Sequence, residues 1–511
     1  MMQFKQANKT HVSRDVPRIK NFIVDGNPAE WENKGMKIPL FSNEKGVSLS
    51  PDDFNVFFHL GWTEKGIAFL AEIKDDKIFH HPTNPWLSDG IEVFVSPGIG
   101  INEHIHFLVN PASAGEGLSS EIHYYTVGMG DYSIGKFKFE VKKQQDGYIV
   151  EGLIPLTAFD KVPEIGAKLG VQLYASDVDE LENLRKTTYH WNHFGNSYKN
   201  PFGFESIILT GPGKKSSIYA VKAYLEDKKK IHLTVFSSSL KDQAPARILH
   251  QGEMISEIQL EPVEGYLKGQ YTFEVDQLGS NLGLMKVYHG NELLDIIDPR
   301  LLPLIWTEKP IPNRFEEDIM IFEAMDRYHQ TDTGLVVFVG SSTIRSWETL
   351  GKDMDNEKLL NRGFGGSTIG DVLYYLERII FPYKPQKLVI YEGDNDLAFH
   401  HDPEKFVSQC KELIERVHAE LPFTEIYFLS VKPSPARARL LPLVKQANQR
   451  LERLIAQYPH AHFLDIYQLM MDGEGHPLED IFLEDKLHMN RKGYELWIPV
   501  VKDGIRDVYS Q

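Results

Sequence analysis

Cysteine is almost absent: Cys410 is the single thiol in 511 residues. An intrachain disulfide is excluded, and so is a cysteine-built zinc site. That suits a reducing compartment. Excess positive charge is missing too. The chain holds 55 Lys and Arg against 72 Asp and Glu, a net charge of −17 at pH 7 with His neutral. A phosphate backbone needs a basic face, so no nucleic-acid partner is expected. No apolar run approaches the length of a membrane span, and no membrane partner is expected. The opening MMQFKQANKTHVSRDVPRIK has no apolar run of leader length. As it stands the chain reads as cytoplasmic, or as secreted if a leader has been removed. Gly (39) and Pro (28) are too few for a fibre or a mainly disordered chain. Neither a fixed-period repeat nor a low-complexity segment is visible.

What is present is globular material for about three domains. Residues up to about 210 alternate apolar and polar in short runs, with Gly, Pro, Asn and Asp between them. Examples are FNVFFHLGW at 54–62, GIAFLAEI at 66–73, GIEVFVSP at 90–97 and GVQLYASDV at 170–178. Many short strands with few helices predict a β-sandwich over 1–212. GPGKK at 211–215 marks its end. IHLTVFSS, GQYTFEV and LMKVYHG continue in the same style, predicting a small immunoglobulin-like sandwich over 213–300 as a spacer. Four prolines in DPRLLPLIWTEKPIP mark the next junction. Beyond about residue 314 the period changes. LVVFVG, LVIYEG, EIYFLSV and HFLDI are continuous apolar runs of the kind buried parallel strands show. Helical patterns such as EKFVSQCKELIERVHAEL lie between them. This predicts a doubly wound α/β domain over 301–511.

Four segments of that last domain could carry chemistry. Gly340-Ser341-Ser342-Thr343 follows the strand LVVFVG, where α/β crevices form. A serine there also serves as an ordinary helix cap. Asn361 to Thr368 is glycine-rich and precedes a helix, so its N–H groups can face an anion. Gly393-Asp394-Asn395-Asp396 follows LVIYE and brings a side-chain amide that could donate to an oxyanion. Asp485-Lys486-Leu487-His488 spaces an acid to orient an imidazole. Alone, each is weak, and each has a bland turn-forming reading.

Together, in this order, the four segments resemble the blocks of the SGNH (GDSL-type) hydrolases over roughly 314–511. The first block departs from the family, since Ser341 stands where Asp is usual. The resemblance implies Ser342, two positions after Gly340, as nucleophile, His488 as base and Asp485 as its support. It implies an oxyanion hole of the Ser342 N–H, the Gly366 N–H and the Asn395 side-chain amide. No cofactor is implied. KPSPAR at 432–437 is similar to a segment of some members, and Arg437 is a substrate-contact candidate.

The front region has a resemblance of its own. IVDGNPAEW (23–31), GIAFLAEIKDD (66–76), NPWLSDGIEVFVSP (84–97) and GYIVEGLIPL (147–156) resemble the family 9 carbohydrate-binding module. Most of these motifs serve the fold: Asp25-Gly26 turns and Trp31 packs. Sugar faces stack on exposed aromatic rings. Trp86, Trp191 and Trp62 are the candidates, with Tyr124 and Tyr125 behind them. His104 and His106 share a strand face, and Asp75, Asp76, Asp177 and Asp179 form acidic loops that could hold calcium. No metal is expected at either place.

The expectation is a serine esterase, a carbohydrate esterase that removes acetyl or another short acyl group from a saccharide. Its partner would be a small-molecule or oligosaccharide acyl ester, with an oligomer left open. One rival is a lysophospholipase- or thioesterase-type acyl hydrolase. Another is a glycan-binding protein with a vestigial hydrolase domain.

Overall fold

The front alternation becomes antiparallel strands in the computed structural model. It describes residues 12–506, apart from 82–83, 102, 115–116, 128–136, 160, 180–185, 193–199, 201, 217–218, 241–243, 264, 280–281, 306–313, 329–334 and 356–357. Phe54–Trp62, Gly66–Asp75, Gly147–Pro155 and Lys138–Gln144 pair in that order. His104–Ala114, Gly90–Ser96, Lys168–Val178 and Glu205–Pro212 form a second run. The strand Ser13–Arg18 links the two runs. It lies parallel to Glu205–Pro212, and its last residue, Arg18, sits opposite Trp62. Phe58, Phe69 and Val150 from one run share a core with Val93, Phe107 and Leu173 from the other.

Within the strand Gly66–Asp75 the stretch 67–71 is continuously apolar because both its faces are covered. Ile67, Phe69, Ala71 and Ile73 enter the main core. Ala68 and Leu70 face the other way, against Trp31 and Ile19. Trp31 Nε1 donates to Glu151 Oε1 at 2.8 Å, and Glu151 Oε2 accepts from the N–H groups of Asp25 and Gly26, each at 2.7 Å. The Asp25-Gly26 turn is thus structural, as its motif suggested.

Residues 219–305 add a five-stranded and a four-stranded sheet. They belong to the same compact unit as the front strands, residues 4–314, so the predicted spacer and sandwich are one body by contact. Lys222 stitches them: its buried ammonium donates to the carbonyls of His190, Trp191 and Asn192. The second unit begins at Phe315.

That second unit is the predicted parallel α/β fold. After helix α1 (Glu316–Tyr328) come β1 (Val336–Gly340), β2 (Leu359–Gly363), β3 (Lys387–Tyr391), β4 (Glu425–Leu429) and β5 (Ala461–Leu464). All pair in parallel, in the order β2-β1-β3-β4-β5. The runs LVVFVG and LVIYEG are β1 and β3, buried on both faces. Between strands lie α2 (Ser342–Arg345), α3 (Leu350–Asp353), α4 (Ile369–Ile379), α5 (Asp394–His400), α6 (Pro403–Glu420) and α7 (Leu441–Ile455); α8 (Arg491–Gly504) closes the chain. Ile369, Val372, Leu373, Leu376 and Ile379 of α4 are buried at helical spacing. Cys410 is fully buried on α6. No helix among the described residues is long and apolar enough to cross a membrane.

Candidate active site

Three of the four segments meet because of strand order. β2, β1 and β3 are neighbours, so the loops at their carboxyl ends share one crevice where the winding reverses. β1 ends at Gly340, with φ +155°. A Cβ there would stand 2.1 Å from the Tyr391 carbonyl oxygen, so only glycine lets β1 and β3 approach this closely. The next two residues have separate fates. Ser341 is fully buried, and its Oγ has no hydrogen-bond partner among the described residues. Ser342 opens α2, and its Oγ lies 2.9 Å from His488 Nε2.

His488 is held from behind. Its Nδ1 is 2.5 Å from Asp485 Oδ2. Asp485 Oδ1 accepts from the N–H groups of Leu487 and His488, each at 2.9 Å, around a turn in which Lys486 takes φ +56°. Partial burial pushes the Asp485 carboxyl up, but the bonds from His488 and the two backbone N–H groups outweigh it and hold the group down to about 2. A carboxylate only accepts, so Nδ1 carries the imidazole proton and Nε2 is left to accept from Ser342.

The loop before α4 carries Gly366, at φ +88°. Thr368 and Asp371 form a reciprocal capping box that fixes where the helix starts. Ser367 Oγ donates to Glu392 Oε1 at 2.5 Å, and Asn395 Nδ2 donates to the Ser367 carbonyl at 2.9 Å. The Ile369 N–H reaches Asp396 Oδ1 at 3.1 Å. The loop that carries Gly366 and the first turn of α5, which carries Asn395, are therefore bonded to each other. Glu392 and Asp396 are almost fully buried, and burial pushes both carboxyls up.

Arg437, expected to reach substrate, is turned inward instead. Its Nη2 donates to Asn395 Oδ1 at 2.9 Å, and its Nη1 lies 3.2 Å from Asp394 Oδ2. Lys432 Nζ, on the same KPSPAR segment, donates to that Asp394 oxygen at 2.9 Å. Asp394 is deep enough that burial pushes its carboxyl up, but the Lys432 and Arg437 charges win and hold it below its ordinary value. The sequence suggested no role for Glu392, nor for Asp394 and Lys432 within the segments that hold them. Their signal was present in the charged residues flanking Asn395 and in the basic ends of KPSPAR.

In the front unit, Trp191 is 5% exposed and packs in the main core, so it offers no face to a sugar. Trp62 is likewise buried, its Nε1 donating to the Thr210 carbonyl at 2.8 Å. The Tyr124 and Tyr125 side chains fall outside the described residues. Trp86 is half-buried on a short turn capped by Asn84. Its ring leans on His106 with centroids 5.3 Å apart, and His106 Nε2 is 2.8 Å from Glu92 Oε2. His106, weighed as half of a metal pair, is thus engaged by a carboxylate.

Metal-binding potential lies with acids instead. Asp75, Asp89 and Asp177 are buried, with carboxylate oxygens within 4.8 Å of one another. Asp89, unmarked in the acidic-loop reading, sits among them and accepts from the N–H groups of Phe79 and Val178. Asp75 Oδ2, Asp177 Oδ1 and the buried Tyr148 hydroxyl have no hydrogen-bond partner among the described residues. An oxygen-only set of this kind suits calcium rather than zinc. Burial, reinforced by the neighbouring acids, pushes all three carboxyls up, Asp177 to about 7. The folded unit then binds more protons than the unfolded chain between about pH 4 and 7, so stability falls as pH rises through that window. In chelator, the melting temperature of the front unit should drop from pH 5 to pH 8. Millimolar calcium should restore it, and Asp177→Asn should remove the calcium response. A melting temperature indifferent to both pH and calcium would defeat this assignment.

Comparison with known proteins agrees with the two regions. Residues 24–212 match the carbohydrate family 9 binding domain-like family model. Residues 335–496 match the GDSL-like lipase/acylhydrolase family model. Endo-1,4-beta-xylanase A of Thermoanaerobacterium saccharolyticum is 29% identical over 150 residues, 29% of this chain and 12% of that protein. Exoglucanase XynX of Acetivibrio thermocellus is 26% identical over 189 residues, 37% of this chain and 16% of that protein. The chain therefore spans only a small part of the length of these two relatives. Platelet-activating factor acetylhydrolase IB subunit alpha1 of Rattus norvegicus is 27% identical over 171 residues, 31% of this chain and 69% of that protein. Among solved structures, a family 9 carbohydrate-binding module of Caldicellulosiruptor kristjanssonii with cellotriose is 22% identical, covering 39% of this chain and 94% of that one, with TM-score 0.31. A GDSL-like lipase of Bacteroides thetaiotaomicron is 20% identical, covering 36% and 96%, with TM-score 0.33.

Proposed function

For a chain that carries a carbohydrate family 9 binding domain-like region and a GDSL-like acylhydrolase domain, we propose the function of a serine carbohydrate esterase that releases a short acyl group, acetyl first, from a saccharide. The observation that carries this reading is the relay from Ser342 Oγ to His488 Nε2 and from His488 Nδ1 to Asp485. Ser342 Oγ attacks the acyl carbon while its proton moves to His488 Nε2. The negative charge that develops on the carbonyl oxygen is met by the N–H groups of Ser342 and Gly366 and by the Asn395 amide. His488 then passes the proton to the leaving alcohol, and water repeats the sequence on the acyl-enzyme. None of these steps calls on a cofactor.

The saccharide part of the reading draws on the front region. Trp86 supplies the stacking face, with the His106–Glu92 pair beside it as hydrogen-bonding groups. One chain carrying both parts would keep an esterase close to its polymer. The xylanase relatives suggest acetylated xylo-oligosaccharides as the first substrates to try, and the acetylhydrolase relative suggests a small acyl pocket. p-Nitrophenyl acetate should be preferred over the octanoate in kcat/KM by at least about tenfold. Acetate should be released from acetylated xylo-oligosaccharides. A preference for octanoate would favour the lipid-directed rival. Glycan binding with no ester turnover would favour the vestigial one.

A further inference from the structure

Asn395 has a problem that its own loop does not solve. A primary amide has a donating and an accepting end of nearly the same shape. Only the Nδ2 end can serve an oxyanion; turned over, the amide would aim its own oxygen at the developing charge. Nδ2 has two hydrogens. One is given to the Ser367 carbonyl at 2.9 Å, which leaves the second for the crevice. The Oδ1 end takes Arg437 Nη2 at 2.9 Å. A guanidinium has donors and no acceptor, so it tolerates only the amide oxygen at that position.

Arg437 is itself located by two further contacts. Asp394 Oδ2, anchored by the almost fully buried Lys432, lies 3.2 Å from its Nη1. Its backbone belongs to the short turn Pro435–Leu440, and the neighbouring Ala436 N–H donates to the Lys486 carbonyl at 3.1 Å, inside the turn between Asp485 and His488. One short segment therefore touches both halves of the machinery. Its two cations face one carboxylate, which leaves positive charge behind the Asn395 oxygen and strengthens the N–H groups at the other end.

We propose that Arg437 is a positioning residue: by holding Asn395 Oδ1 while the Ser367 carbonyl takes the Nδ2 end, it completes the pair of contacts that fixes which end of that amide faces the reacting carbonyl oxygen. This rests on the esterase reading above. The test is a double-mutant cycle on p-nitrophenyl acetate hydrolysis with Arg437→Met, Arg437→Lys, Asn395→Ala and the combined variants, each checked by thermal unfolding. Arg437→Met should lower kcat about 10–100-fold with KM within about threefold, as expected for a group that serves the transition state. Arg437→Lys should recover part of the loss. In the Asn395→Ala background, Arg437→Met should cost less than about threefold, because the residue it acts through is gone. If Arg437→Met does not fold, Arg437→Lys replaces it in the cycle. Equal losses in both backgrounds, or a rise in KM that depends on the alcohol, would overturn the proposal in favour of a substrate contact. A wild type inactive on every ester would overturn the esterase reading and this inference together, whereas an active wild type with an additive cycle overturns the inference alone.

Discussion

Ser342→Ala is expected to lower kcat for p-nitrophenyl acetate by about 10⁴–10⁶-fold, with melting temperature and circular dichroism close to wild type. The size follows from what is removed. The hydroxyl is the atom that would bond to the acyl carbon, and without it His488 can only activate water without a covalent route. Residual rate would come from the oxyanion donors and binding alone. The fold should survive because Ser342 sits at the start of α2 with its side chain turned to His488 and not into the core. Ser341→Ala is the matched control. Its hydroxyl is buried and makes no hydrogen bond to the described residues, so its loss should leave turnover within about threefold. A dead Ser341→Ala with an active Ser342→Ala would reverse the assignment. A fluorophosphonate probe gives the same answer independently of turnover, since it should label wild type and Ser341→Ala but not Ser342→Ala.

The parts legible in the sequence were those with short range. Period and chain order exposed the parallel strands, and each of the four segments is contiguous, so the family resemblance that points to Ser342, His488 and Asp485 can be read from short stretches of chain. Gly340 stood out by position, although its reason, a Tyr391 carbonyl oxygen that would stand 2.1 Å from any Cβ placed there, is a contact between strands. What failed depended on distance along the chain or on facing. Arg437 and Asn395 are 42 residues apart, and nothing local tells a guanidinium aimed at substrate from one aimed at an amide. Trp191 carried the right chemistry for a sugar, yet it closes the front core, because it follows the Lys186–His190 strand that pairs beside Lys168–Val178. Asp89 directly precedes the run GIEVFVSP and has no acidic residue adjacent to it in the sequence. Only the closure of the sandwich brings it against Asp75 and Asp177. The boundary between the two β regions was placed by a Gly-Pro punctuation, but Lys222 shows why punctuation is a poor guide to independence. A single buried ammonium donating to three carbonyls joins the regions on either side of it.

Asp485→Asn should lower kcat by about 10⁴-fold while leaving KM and the fold nearly unchanged, an effect set by proton placement and not by lost packing. The amide oxygen of the new side chain can still accept the N–H groups of Leu487 and His488, so the turn keeps its shape. The amide nitrogen then takes the place of Oδ2 and donates to Nδ1. His488 must answer with Nδ1 as acceptor and its proton on Nε2, the atom that should receive the Ser342 proton. Nucleophile and base would both carry hydrogens across the 2.9 Å gap. Asp485→Ala makes a useful contrast: it removes the support without enforcing the wrong tautomer, and should be the less damaged variant if tautomer is the cause. The carboxylate is held down to about 2 in the wild type. Protonation of Asp485 therefore cannot produce an activity loss seen between pH 4 and 7, and such a loss belongs to another group. Asp485→Asn with kcat within tenfold of wild type would mean that His488 is oriented by something else, and would break the relay at its third member.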